Sequence, residues 1–180
     1  MPPLFCSFHA GPGYAEEARG LAESLDALGL PHVIRALPDA GAWELNCGRK
    51  PVFLLDVARE HPDRPLVWLD ADARVVQAPT LFDSLECDVA CHYRHGEELL
   101  SGTLYFGGTD GAIDLLNEWA SECQRNPNEW DQRVLQAILA DRPHRWRVQT
   151  LPAEYVRIFD ADDMGEAVIL HRQASRRLKR

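Results

Sequence analysis

Four apolar residues, Leu66-Val67-Trp68-Leu69, run directly into Asp70-Ala71-Asp72, two carboxylates spaced by one residue. In extended backbone, residues i and i+2 point to the same side, so this spacing aims both carboxylates at one cation at the end of a buried strand. Two hard oxygen ligands without a full protein cage suit Mg²⁺ or Mn²⁺, with water and phosphate oxygens completing the coordination. The plain alternative is a pair of solvated acids in the loop after the strand. Other anion-handling patterns fit less well. Gly11-Pro12-Gly13-Tyr14-Ala15-Glu16 begins like a dinucleotide-binding turn, but Glu16 stands where the third glycine belongs and would set negative charge beside a pyrophosphate. No phosphate loop ending in Lys-Ser or Lys-Thr is present, and the only lysines are Lys50 and Lys179.

The elements that must position Asp70 and Asp72 follow from hydrophobic periodicity. Leu4 to Phe8 is a short apolar run, and Tyr14, Ala18, Leu21, Leu25 and Leu28 then recur at helical steps, which predicts a strand, a turn and an amphipathic helix. Gly29-Leu30-Pro31 stops that helix, and His32 to Leu37 returns as a strand parallel to the first. Phe53, Leu54, Val57 and Ala58 predict a helix after Pro51. The unbroken run Leu66–Leu69 predicts a strand covered on both faces. Asp88 to Cys91 and Thr103 to Phe106 read as strands separated by a polar loop with His92, His95 and two glutamates. Ile113 to Cys123 and Val134 to Leu139 read as helices, and Arg147 to Leu151 and Val168 to His171 as late strands. Asp162-Asp163 reads as a polar turn. The alternation implies a single α/β domain with a mainly parallel central sheet flanked by helices, and ligands of such sheets bind at the carboxyl edge.

Composition bounds the partners. The 180 residues carry a net charge of −9, yet five of the 19 cations and none of the 28 acids lie in the last nine residues, leaving −14 for residues 1–171. Such a body repels nucleic acid, so no nucleic-acid partner is expected. The basic tail, residues 172–180, is open to two readings: a solvated terminus, or a segment that touches an anionic ligand or a membrane surface. The five cysteines are odd in number and lack metal or redox spacing, which predicts reduced, buried thiols. No signal-like or membrane-spanning run occurs, and a cytoplasmic location is the expectation.

Several segments in this order resemble the nucleotide-diphospho-sugar transferases of the A-type, Rossmann-like glycosyltransferase fold. They are the strand-turn-helix from Phe5 to Leu28, Trp43 through Lys50-Pro51, Trp68-Leu69-Asp70-Ala71-Asp72, Leu100-Ser101-Gly102-Thr103-Leu104-Tyr105-Phe106, the helix bearing Trp119, Trp130-Asp131-Gln132, and Val168-Ile169-Leu170-His171. The resemblance implies that Asp70 and Asp72 bind a metal with His171 as a third ligand, which favours Mn²⁺ over Mg²⁺. It implies that Lys50 lies near the nucleotide, that Ser7, Phe8 and His9 hold base and ribose, and that Ser101 and Gly102 line the donor-sugar pocket. Asp131 and Gln132 would form the acidic-amide pair that retaining relatives place beside the reacting sugar, and Trp130 would offer its face to an acceptor sugar. Arg176 and Arg177 stand near where relatives bind phosphate. Two departures stand out: Leu100 where relatives often carry Asn, and Ala174 and Arg177 where they often carry Gly and Lys. The activity so implied is transfer of a hexose from a nucleotide-diphosphate sugar, a UDP-sugar by preference, to a hydroxyl of a glycan, lipid-linked or protein acceptor, with retention of stereochemistry. The alternatives are a non-catalytic nucleotide-sugar or glycan-binding module and a phosphatase with Asp70 as nucleophile and Asp72 as general acid.

Overall fold

The computed structural model describes residues 1–160 and 165–178. Asp162-Asp163, and Lys179 and Arg180 of the basic tail, lie outside the described residues. In chain order the elements are β1 (Leu4–Ala10), α1 (Pro12–Ala27), β2 (His32–Leu37), α2 (Trp43–Cys47), α3 (Lys50–Glu60), β3 (Leu66–Leu69) and β4 (Ala73–Val75). There follow β5 (Val89–Arg94), β6 (Glu98–Phe106), α4 (Asp110–Arg125), α5 (Asp131–Asp141), β7 (Val148–Thr150), β8 (Arg157–Ile158), β9 (Ile169–His171) and α6 (Ser175–Leu178).

A six-stranded sheet has the order β2-β1-β3-β6-β5-β7, and a small second sheet the order β4-β9-β8. Five strands of the large sheet share one direction, and β6 alone runs against its neighbours. The sheet is thus mainly parallel, as expected, with one reversed strand, and the reversal has a local cause. His95 and Gly96, both at positive φ, make a tight hairpin turn between β5 and β6. The polar loop expected there is accordingly shorter, with His92 inside β5 and Glu98 already inside β6.

Alternate residues of each strand go to opposite faces, as extended backbone requires. Cys6, Trp68, Leu104 and Phe106 pack with α3, α4 and α5 on one side. Phe5, Val67, Leu69 and Tyr105 pack with α1 and the small sheet on the other. Each such large apolar side chain, when fully buried, contributes about 1.5–3 kcal/mol. Gly29, at φ 64°, takes the left-handed position that ends α1. All five cysteines are free, Cys47 half-buried and the others buried; burial pushes the Cys6, Cys91 and Cys123 thiols up to about 12. No described helix is long and apolar enough to cross a membrane.

Residues 172–178 are not a frayed end. Leu178 lies over Gly13 of α1, Arg177 pairs with Glu17 at 2.8 Å, and Arg176 pairs with Asp160.

Candidate active site

Register brings the three proposed ligands together. The β4–β9 pairing sets Ala73 opposite His171, one residue beyond Asp72, and the β3–β6 pairing sets Leu69 opposite Thr103. Asp70-Ala71-Asp72 is a turn closed by the Ala73 N–H donating to the Asp70 carbonyl at 2.9 Å, not the extended segment the spacing suggested. The carboxylates converge all the same. One candidate ligand atom from each of Asp70, Asp72 and His171 lies within 4.8 Å of the others.

On each of the three side chains one atom is already engaged. Asp70 Oδ1 accepts from Trp68 Nε1 at 2.8 Å, Asp72 Oδ2 accepts from the Ala174 N–H at 2.6 Å, and His171 Nε2 is 2.8 Å from Thr103 Oγ1. Asp70 Oδ2 remains, and Asp72 Oδ1 and His171 Nδ1 face each other at 3.9 Å. The space beside them exists because residue 102 is glycine: a Cβ there would stand 2.9 Å from His171 Cε1, 3.1 Å from Nδ1 and 3.4 Å from Asp70 Oδ2. Two carboxylate oxygens, an imidazole nitrogen and this gap fit a divalent cation such as Mn²⁺. Burial works against the Asp72 charge, but His171, the Ala174 N–H and Arg74 outweigh it and hold the carboxyl below its ordinary value.

Beside this cluster lies a buried charge pair. Lys50, the first residue of α3, is 3% exposed, and its ammonium is 3.0 Å from Asp131 Oδ2 and 3.3 Å from Asp70 Oδ1. It also donates to the carbonyl and hydroxyl of Ser101, at 3.1 and 3.2 Å, and lies 5.0 Å over the Trp68 ring. Burial opposes the lysine's charge, yet Asp131 and Asp70 more than offset it and raise the pKa above the ordinary lysine value. Burial likewise pushes the Asp131 carboxyl up, with Lys50 opposing the shift. Asp131 opens α5 and is fixed there by Trp119 Nε1, which donates to its carbonyl at 3.0 Å. Its Oδ1 is buried with no hydrogen-bond partner. Gln132 is engaged at both ends of its amide: Oε1 accepts from the Ser101 N–H at 3.1 Å and Nε2 donates to Glu98 at 3.2 Å.

One cleft at the carboxyl edge of the large sheet gathers these groups. Phe8 and His9 line it, as do Lys50, Ser101, Gly102, Asp131 and Gln132; Ser7 is buried and does not. Arg176 and Arg177 are paired with acids and stand outside the lining. Trp68 and Trp119 are core residues, although Trp68 also forms part of the cleft wall. Trp130 tilts against Trp43, with ring centroids 5.7 Å apart, at the cleft. Sequence reasoning gave no role to Trp43 or Thr103. Trp43 stands in the short α2, which has no full helical period to read, and Thr103 matters only through the strand register.

A family model of nucleotide-diphospho-sugar transferases matches residues 66–175, the stretch from β3 through His171 to Ser175. Among solved structures, a glycosyltransferase involved in the glycosylation of the major capsid of PBCV-1 is similar with a TM-score of 0.74 at 15% identity, over 96% of this chain and 93% of that one. The apo form of the glycosyltransferase GlyE from Streptococcus pneumoniae TIGR4 is similar with a TM-score of 0.67 at 14% identity, over 95% of this chain and 54% of GlyE. The chain thus spans about half of GlyE. No curated protein sequence matches it. At these identities the solved structures establish a shared fold, and the family assignment rests on the sequence model, which covers more than half of the chain and all three residues of the Asp-Asp-His cluster. The chain is a glycosyltransferase and belongs to the nucleotide-diphospho-sugar transferase family.

Proposed function

We propose that the protein transfers a hexose from a UDP-sugar to a hydroxyl acceptor, in a reaction that depends on a divalent cation and retains the stereochemistry of the sugar carbon. The observation that carries this reading is the pairing, in one cleft, of three converging ligand atoms with a buried carboxylate whose second oxygen lacks a partner. Asp70, Asp72 and His171 would hold the cation. When bound, the cation supplies charge neutralisation for a diphosphate leaving group. Imidazole beside two carboxylates makes Mn²⁺ the favoured ion.

The chain's own residues account for the rest. Asp131 Oδ1 accepts a hydrogen bond from a donor-sugar hydroxyl, and its negative charge stabilises the oxocarbenium character that develops at the sugar carbon. Lys50 favours the ionised form of that carboxylate against its burial and fixes it in place by holding Oδ2. Gln132 holds the backbone of Ser101, and so the donor-pocket wall, through its amide. Trp130 and Trp43 form an apolar rim suited to an acceptor sugar. Arg176 and Arg177 would reach the phosphates only by leaving Asp160 and Glu17.

The test measures UDP-sugar turnover with and without Mn²⁺, and the anomeric configuration of the product by NMR. Asp131→Asn is expected to lower kcat by about 10²–10³ with UDP affinity nearly unchanged, the pattern of an interaction made mainly in the transition state. Turnover that is indifferent to Mn²⁺, or an inverted product, refutes the corresponding part. Mn²⁺-UDP binding without turnover of any donor would support the non-catalytic module instead.

A further inference from the structure

We infer that Gln136, one turn beyond Gln132 on α5, is a positioning residue: the two amides together clamp β6 to α5 so that Ser101 stands where Lys50 and Asp131 meet it. The inference rests on the role proposed above for Asp131 and adds to it the residue that sets the helix against the strand. Gln136 is half-buried and does not line the cleft, so it acts there only through other residues. Its Oε1 accepts from the Leu99 N–H at 3.1 Å, and its Nε2 donates to the Glu97 carbonyl at 2.8 Å. A backbone N–H can only donate and a carbonyl can only accept, so these partners leave the amide one orientation.

The strand needs such a clamp at this place. β3 pairs with β6 only from Thr103 onward, and the β5–β6 register breaks between Ala90 and His92, so Ser101 and Gly102 fall in neither register. Yet Ser101 is buried, and its carbonyl and hydroxyl supply two contacts of the Lys50 ammonium, at 3.1 and 3.2 Å. Its N–H donates to Gln132. Four residues of helix advance about 6 Å and two residues of strand about 6.6–6.8 Å, so amides at i and i+4 of α5 can meet the N–H groups of alternate residues of β6. Gln132 alone would be a single pivot about which the strand can swing. Gln136 supplies the second point, and two points fix the angle. Asp131 opens the same helix, so this angle also sets its carboxylate against Ser101, whose hydroxyl is 3.5 Å from Asp131 Oδ2.

The test uses Gln136→Met, which keeps side-chain length and helix propensity and removes both hydrogen bonds. Turnover of the UDP-hexose that wild type uses fastest is expected to lose about 10–100-fold in kcat with UDP affinity unchanged, because a shifted strand misplaces the Lys50–Asp131 pair and not the nucleotide. An unchanged kcat overturns the inference. Amide hydrogen exchange gives a readout independent of activity. The Ser101 amide, whose own partner is untouched by the substitution, is expected to exchange about tenfold faster than in wild type. Leu104 and Tyr105, paired with β3, are expected to keep their wild-type rates. Wild-type exchange at Ser101 overturns the inference, since Gln136 would then pin only the hairpin. Acceleration of Leu104 and Tyr105 equal to that of Ser101 also overturns it, since the effect would then be one of global stability. Should Gln136→Met not fold, Gln136→Glu keeps the acceptor for the Leu99 N–H and gives up only the donor; it is expected to accelerate Ser101 in the same local pattern, and wild-type exchange there overturns the inference. A wild-type protein that turns over no UDP-hexose defeats the proposed function, and the exchange pattern still decides the part assigned to Gln136.

Discussion

At Lys50 one buried ammonium faces four oxygens, those of Asp70, Asp131 and the Ser101 carbonyl and hydroxyl, with three protons to give. Removing it would strand Asp131, which is 1% exposed and already shifted up by its burial. Lys50→Met should therefore cost about 3–5 kcal/mol at neutral pH by urea unfolding, the usual loss when one partner of a buried pair is deleted. The pH dependence has a definite sign. In the variant the Asp131 pKa stands above its unfolded value, so the folded state gains relative stability as pH falls through that pKa, and the deficit against wild type narrows in acid. The double variant Lys50→Met/Asp131→Asn should recover most of the lost stability without recovering activity. Equal losses in the single and double variants would mean that the pair is not coupled.

Between elements, Asp88 is the joint that holds β5, α4 and the entry to β7 together. Its carboxylate accepts from Thr109 Oγ1 at 2.8 Å, at the start of α4, and from the backbone N–H and guanidinium of Arg147 at 2.8 and 2.9 Å. Burial raises the Asp88 pKa, but Arg147 and Thr109 reverse that and hold it below the ordinary carboxylate value. Asp88→Asn should lower stability by about 1–3 kcal/mol at pH 7. Because the folded pKa is the depressed one, the stabilisation is complete above the unfolded value of about 3.9 and disappears as pH falls through the folded value. Wild type and variant should therefore converge below about pH 4, and a constant gap down to pH 2 would contradict the assignment. Elements of this kind differ in how far the sequence reveals them. Leu66–Leu69 and His32–Leu37 were legible to the residue, because a run of apolar or β-branched residues bounded by prolines or acids has few other uses. The short α2, β4, β8 and α6 were not, since two to five residues span less than two turns or two pleats and leave no period to detect. The candidate ligands Asp70, Asp72 and His171 were legible through motif order. The Asp-Ala-Asp turn, the burial of Lys50 and the Thr103–His171 contact were not: the turn is closed by a backbone hydrogen bond that no side-chain pattern marks, Lys50 is covered by Asp70, Ser101 and Asp131 from other elements, and the last contact depends on the register of strands distant in sequence.

For the whole molecule the governing quantity is its charge. At −9 overall, and with the basic tail's Arg176 and Arg177 paired to Asp160 and Glu17, the protein presents an anionic field to whatever approaches the cleft. A divalent cation is drawn by that field, and a nucleotide diphosphate is repelled by it. Screening weakens both effects, since the Debye length falls from about 30 Å at 0.01 M to about 8 Å at 0.15 M ionic strength. The two ligands should therefore respond to salt in opposite directions on the same protein. Raising ionic strength across that range with an inert salt should weaken Mn²⁺ binding measured without nucleotide, and should strengthen UDP binding measured without metal. With both present, the cation turns the local potential positive toward the diphosphate, so UDP affinity should fall with salt. Calorimetric titrations of Mn²⁺ alone, UDP alone and UDP with saturating Mn²⁺ at the two ionic strengths read all three signs. If metal-free UDP binding weakens with salt, local cations must dominate the field, and the arginines of the C-terminal segment must then exchange their acidic partners for the phosphates.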